Sequence, residues 1–296
     1  MKAVLAVFAA IVCLAAFTTA TPPAWQSSAR FGTYTAVGTD GVTYHWNNDA
    51  WCPGAGPQTI WVNDNNNWGV TSQQMFSTDC WVQTYPHIGW WGGGLLSSYS
   101  ALTATESETG PGHSLPLQWE AAYDIWLNNG HPGSDSGYEV MVWTDVANVG
   151  ACCGVIARPT IAGVEYLEYQ SQGGNGPVTD FIRVNGAQTT TTDLKAIIAY
   201  VASHGGNYSG PADPAVDTIE FGWEVWGTGS FPEDFQMSQF SLASEAPAPA
   251  PSPTTDTPTP TDTSTPTDTA VPTDTPTPTP TDTTPLVMCT TVPAGP

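Results

Sequence analysis

Apolar and polar residues alternate in short runs from about Trp25 to Ala243, each run broken by Gly, Asn, Asp or Pro. That pattern predicts strands rather than helices. The runs Thr33–Val37, Thr59–Val62, Leu115–Leu127, Tyr138–Thr144, Val164–Gln170, Asp180–Val184, Thr218–Trp226 and Phe235–Leu242 have strand length and composition. Many strands at this spacing imply an all-β fold, a jelly-roll sandwich of two antiparallel sheets. One stretch has another period. Leu194, Ile197, Ile198 and Val201 recur at helical spacing between Thr192, a capping residue, and Gly205-Gly206, a terminator. They predict one helix from Asp193 to about Ser203, packed on the convex outer sheet.

Three of these strands carry acids among aromatic and β-branched neighbours, where acids are normally depleted. In Tyr138–Thr144, Tyr138, Val140 and Val142 share one face, leaving Glu139, Met141 and Trp143 on the other. In Ile219–Trp226, the apolar face is Ile219, Phe221, Trp223 and Val225; Glu220, Gly222, Glu224 and Trp226 lie opposite. In Glu120–Leu127, Asp124 and Trp126 oppose Tyr123, Ile125 and Leu127. Two acids on an aromatic-lined sheet face suit a sugar-cleaving cleft, one protonating the departing oxygen and the other attacking or stabilising the anomeric carbon.

Composition sharpens this picture. The net charge is -22 with only five Lys and Arg, so clustered cations for nucleic acid are lacking and an anionic lipid surface would be repelled. Neutral polysaccharides feel no such repulsion, and thirteen Trp and ten Tyr supply flat rings for sugar stacking, although a sandwich core claims many of them. Lys2, the apolar run Ala3–Phe17 and the small residues to Ala20 read as a signal peptide of residues 1–20, which implies a secreted, extracellular protein. Residues 21–245 form the catalytic domain, and the Pro/Thr/Asp-rich residues 246–296 a linker or disordered tail. A monomer is expected.

The motifs in these strands resemble glycoside hydrolase family 12, the small β-jelly-roll endoglucanases and xyloglucanases. Glu139-x-Met141-x-Trp143 matches the family's nucleophile strand, and Gly222-x-Glu224 its acid/base strand. Tyr123-Asp124 matches the element before the nucleophile, and Asn65-Asn66-Asn67-Trp68-Gly69 an Asn-Trp strand flanked by a disulfide. The resemblance covers about Cys52 to Leu242. It implies a Cys52–Cys80 bridge, Glu139 as nucleophile, Glu224 as acid/base and Asp124 as a hydrogen-bonding support. Asn66, Trp68, Trp126, Met141, Trp143 and Trp226 then become sugar contacts. It further implies retaining endo-hydrolysis of a β-1,4-glucan, of cellulose type, mixed linkage or xyloglucan, without metal or other cofactor.

Three features depart from the family: the extension Thr21–Asp49, the run Gly150-Ala151-Cys152-Cys153-Gly154, and Pro53-Gly54-Ala55 where an aromatic usually follows the first cysteine. Trp46, Trp51 or Trp61 is the expected substitute for that aromatic. Cys152 and Cys153 either form a vicinal bridge or remain thiols. Glu120, Glu165, Glu168 and Glu220 read as ordinary surface acids, and Asn207-Tyr208-Ser209 as a formal glycosylation acceptor. A related jelly-roll xylanase is the nearest enzymatic alternative. A non-catalytic carbohydrate-binding sandwich is the alternative of another class, needing the aromatic face but not the acids.

Overall fold

The computed structural model describes residues 22–77, 80–128, 137–173, 176–204, 206–229 and 231–245. The expected signal peptide and tail, with Cys13 and Cys289, lie outside the described residues. In chain order the elements are β1 (Trp25–Ser27), β2 (Thr33–Val37), β3 (Thr43–Asn47), β4 (Gln58–Asp64), β5 (Asn67–Ser72), β6 (His87–Leu95), β7 (Ala101–Thr109) and β8 (Gln118–Leu127). They continue as β9 (Tyr138–Ala147), β10 (Thr160–Ile161), β11 (Val164–Gly173), β12 (Gly176–Arg183), β13 (Thr189–Asp193), α1 (Leu194–His204), β14 (Ala215–Gly227) and β15 (Glu233–Glu245).

The strands form two sheets, as the alternation predicts. The outer sheet runs β1-β4-β5-β15-β7-β13 and the second β10-β11-β12-β9-β8-β14-β6-β3-β2. The described ladders are antiparallel except β12 on β9, because the chain leaves β9, passes through β10 and β11, and returns beside it in the same direction. Between the sheets lies one aromatic core in which Trp68 of β5 meets Trp223 of β14 at 5.0 Å and Phe221 stacks on Phe240 at 5.9 Å. Tyr123, Val140, Val142, Phe221 and Trp223 all point into it. With a side-chain period of two, their neighbours Asp124, Glu139, Glu220 and Glu224 must emerge on the opposite, outer face of the nine-stranded sheet.

Helix α1 buries Leu194, Ile197, Ile198 and Val201, the four residues that its period singled out. Its cap is Asp193 rather than Thr192: Asp193 Oδ1 accepts the Ala196 N–H at 2.9 Å, while Thr192 is buried in β13. The helix meets the outer sheet at β7, and Tyr200 reaches across to Phe181 of β12 and donates to Glu168 of β11 at 3.0 Å.

Strand β7 turns Leu102, Ala104, Glu106 and Glu108 inward, so two acids stand where the pattern calls for apolar residues. Glu106 accepts hydrogen bonds from the Tyr123 and Thr190 hydroxyls, and Glu108 accepts the Trp223 indole N–H at 3.1 Å. Burial outweighs these bonds, pushing the Glu106 carboxyl up to about 7 and that of Glu108 to about 8.

Cys52 and Cys80 form the expected disulfide. Their separation of 28 residues gives a chain-entropy contribution of about 3–4 kcal/mol. The double Ser variant should therefore melt roughly 10 °C lower by calorimetry; a loss below about 2 °C would contradict this. Cys152 and Cys153 lie side by side in the loop after β9, with their sulfurs 2.7 Å apart.

Candidate active site

The outer face of the nine-stranded sheet gathers six carboxylates. Strands β9, β8 and β14 are neighbours, so Glu139, Asp124 and Glu224 come from three adjacent strands. Asp124 pairs in register with Met141 on one side and Glu220 on the other; Glu139 lies beside Trp126 and Glu224 beside Glu120. From the far side β12 adds Asp180, opposite Met141. Glu139 and Glu224 remain partly open to solvent, whereas Asp124 is only 5% exposed and its Oδ1 has no hydrogen-bond partner.

The electrostatics follow from this crowding. Burial, then repulsion from Glu224, Asp180 and Glu220, raises Glu139 well above the usual carboxylate range. Asp124 is raised by burial and then by Glu139 and Glu224, which favours its neutral form, the one able to donate a hydrogen bond. Glu224 is raised by burial and then by Glu120, with Asp180 and Asp49 adding smaller pushes. Asp180 is lifted by burial to about 7, with the Trp143 indole opposing. A cluster of carboxyls crowded this way gives up its protons one at a time, because each ionisation raises the cost of the next.

Below the acids, Met141 and Trp143 pack with Ala122 and Val178 into a small apolar patch, and Trp126 is buried beside Glu220. Beyond Glu224, Trp226 meets the edge of Trp81 at 5.8 Å; Trp81 is 45% exposed. On β6, Trp91 shares the acid face, is 66% exposed and stacks on His45 at 3.8 Å. The face is thus an acidic strip floored and flanked by rings.

Three sequence expectations need correction, and two further ones can be placed in the fold. Trp68 is fully buried, because β5 belongs to the outer sheet and its alternation turns Trp68 into the core, away from the acids. Asn66 also stays away: its Nδ2 donates to Thr39 Oγ1 at 2.8 Å and its Oδ1 accepts the Phe240 N–H at 2.9 Å, tying the β4–β5 turn to its neighbours. Glu120, Glu168 and Glu220 are buried rather than surface acids; Glu120 and Glu220 line the site, while Glu165 is the exposed one, 4.0 Å from Arg158. Of the rings expected to replace the missing aromatic, Trp46 is in the core and Trp51 is exposed. Trp61 packs beside Gly69 on the outer sheet. Both amide hydrogens of Asn207 are engaged, by Ser171 O at 2.9 Å and Val178 O at 3.0 Å, so the formal glycosylation acceptor is tied into the fold.

Sequence reasoning missed Asp180, Tyr85, His87, Trp81 and Trp91. Tyr85 is buried under the acids with its hydroxyl on Ala122 O, and His87 lies 3.7 Å from Glu220. For Glu120 and Glu220 a signal was present, since each stands four residues before a candidate acid on the same strand face.

No family model matches the chain. It is 30% identical over 180 residues to the xyloglucan-specific endo-beta-1,4-glucanase A of Aspergillus aculeatus, covering 54% of this chain and 73% of that protein. The enzyme of the same name from Aspergillus niger is 28% identical, covering 54% and 72%. Among solved structures, the xyloglucanase domain of NopAA from Sinorhizobium fredii, in complex with cellobiose, superposes with a TM-score of 0.63 at 27% identity, covering 75% of this chain and all of that one. A metagenome-derived glycoside hydrolase family 12 endoglucanase gives 0.63 at 23% identity, covering 77% of this chain and 100% of its own, a likeness of fold.

Proposed function

This chain belongs to glycoside hydrolase family 12, and we propose that it is a secreted, retaining endo-β-1,4-glucanase with Glu139 as nucleophile and Glu224 as acid/base. The observation that carries the reading is the cluster itself, in which Glu139, Asp124 and Glu224 stand on three adjacent strands over a ring-lined floor.

In the first step Glu139 attacks the anomeric carbon while Glu224 gives its proton to the glycosidic oxygen, whose bond to that carbon breaks. In the second, Glu224 takes a proton from water, the water oxygen bonds to the anomeric carbon, and the electron pair of the ester bond returns to Glu139. Asp124 donates to Glu139 and holds it for attack. Trp226, Trp81 and Trp91 stack on successive sugars, and Met141, Trp143 and Trp126 form the floor. Residues 1–20 direct export, and residues 246–296 serve as a spacer outside the catalytic domain.

Xyloglucan is the first substrate to test, because the relatives above bear that specificity in their names; mixed-linkage and cellulose-type glucans follow. Purified protein on tamarind xyloglucan, barley β-glucan, carboxymethylcellulose and xylan should lower viscosity faster than it releases reducing ends on at least one glucan. Proton NMR should detect the β-anomer first. Hydrolysis of xylan alone would favour the xylanase alternative, an initial α-anomer would exclude the retaining mechanism, and binding without hydrolysis would leave the carbohydrate-binding sandwich.

A further inference from the structure

Glu120 faces Glu224 directly across the β8–β14 ladder. It is fully buried; its Oε1 accepts the Trp226 indole N–H at 3.2 Å, and its Oε2 has no partner of its own, with the Glu224 carboxyl beside it. A buried carboxylate with one satisfied oxygen and one open oxygen is costly unless a proton lies between it and a neighbour. Glu224 is the neighbour that can supply one.

We propose that Glu120 is a positioning residue for the acid/base: anchored by Trp226, its open oxygen accepts the hydrogen bond of the Glu224 carboxyl and keeps the proton on Glu224 until the leaving oxygen takes it. The inference rests on Glu224 being the acid/base. Two carboxyls that share one proton titrate as a unit, and ionising the second costs their mutual repulsion. Burial drives Glu120 up to about 8, and Glu120 in turn drives Glu224 up. Once Glu224 has given its proton to the sugar oxygen, both members are negative, which makes Glu224 a stronger base toward the water of the second step.

The groups facing the pair act in the same direction: Asp124 of β8, Asp180 of β12, Asp49 of the loop after β3, and Glu139 of β9 through Asp124. Glu220 of β14 is held instead by His87 of β6, so the histidine does not neutralise the pair.

Glu120→Gln keeps the shape and the acceptor for Trp226 but removes the charge. The alkaline limb of its kcat/KM profile should fall by about one pH unit, while the acid limb, set by Glu139, and the melting temperature do not fall. Trp226→Phe removes the donor that steadies the Glu120 anion, so the same limb should rise; this variant decides the matter if Glu120→Gln does not fold. An alkaline limb unmoved in the folded variants overturns the inference while leaving the Glu224 assignment intact, as does activity lost equally at every pH. Full turnover in Glu224→Gln would instead remove the reading on which it stands.

Discussion

Glu224→Gln should lower kcat on polymeric glucan by about 10²–10⁴-fold, the usual contribution of a positioned proton donor, and Glu139→Gln should lose at least as much. Gln keeps the volume and removes a carboxyl from a crowded acidic strip, so both variants should fold, with melting temperatures no lower than the parent's. The two losses differ in kind. An aryl β-cellobioside with an acidic leaving group needs no proton donor, so Glu224→Gln should form the glycosyl-enzyme from it and stall. Glu139→Gln cannot form that ester. Added azide should therefore yield a β-glycosyl azide with Glu224→Ala and an α-glycosyl azide with Glu139→Ala, because azide meets the ester in the first case and the intact substrate in the second. The same anomer from both variants, or near-parental turnover in either Gln variant, would remove the assigned roles.

The acids were legible in the sequence because period-2 alternation fixes which residues share a face, and Tyr123, Val140, Val142 and Phe221 left Asp124, Glu139 and Glu224 no other side to occupy. Alternation does not say which sheet a strand joins. Trp68 alternates as well as Trp226 does, yet β5 lies in the outer sheet and β14 in the other, so one ring enters the core and the other the acid face. Strand β6 was hidden by Gly92-Gly93-Gly94, and β7 by Glu106 and Glu108 at inward positions, where a polar residue breaks the apolar pattern. The buried state of Glu120 and Glu220 had the same cause. A carboxyl on a strand reads as solvated until neighbouring strands are known to crowd it, and here β9, β12 and β6 flank β8 and β14 and add Glu139, Asp180 and Trp91 to the same face. The helix was the clearest element, since its four buried residues need only the chain's own period.

Those inward acids should make the folded protein an acid-stable one, with its highest melting temperature near pH 4–5 and a fall of roughly 10 °C or more by pH 8. In the folded state Glu106 is raised to about 7 and Glu108 to about 8, whereas in the unfolded chain both return to about 4.5. Between these values the native state holds protons that the unfolded state has released, so stability decreases as pH rises. Below about pH 4.5 both states are protonated and the contribution is fully present; above pH 8 it is lost. At about 1.4 kcal/mol per pH unit for each group, the two account for roughly several kcal/mol. Repulsion within a chain of net charge -22 acts in the same direction, but surface repulsion is screened by salt and the burial of two carboxyls in the core is not. Melting curves in 1 M NaCl should therefore keep most of the slope, and Glu106→Gln with Glu108→Gln should reduce it, the site carboxyls that burial also raises supplying the remainder and the Tyr123 and Thr190 hydroxyls turning to suit the amide at position 106. A melting temperature that rises from pH 5 to 8, or a slope unchanged in the double variant, would mean that these two carboxyls ionise in the folded core at ordinary pH.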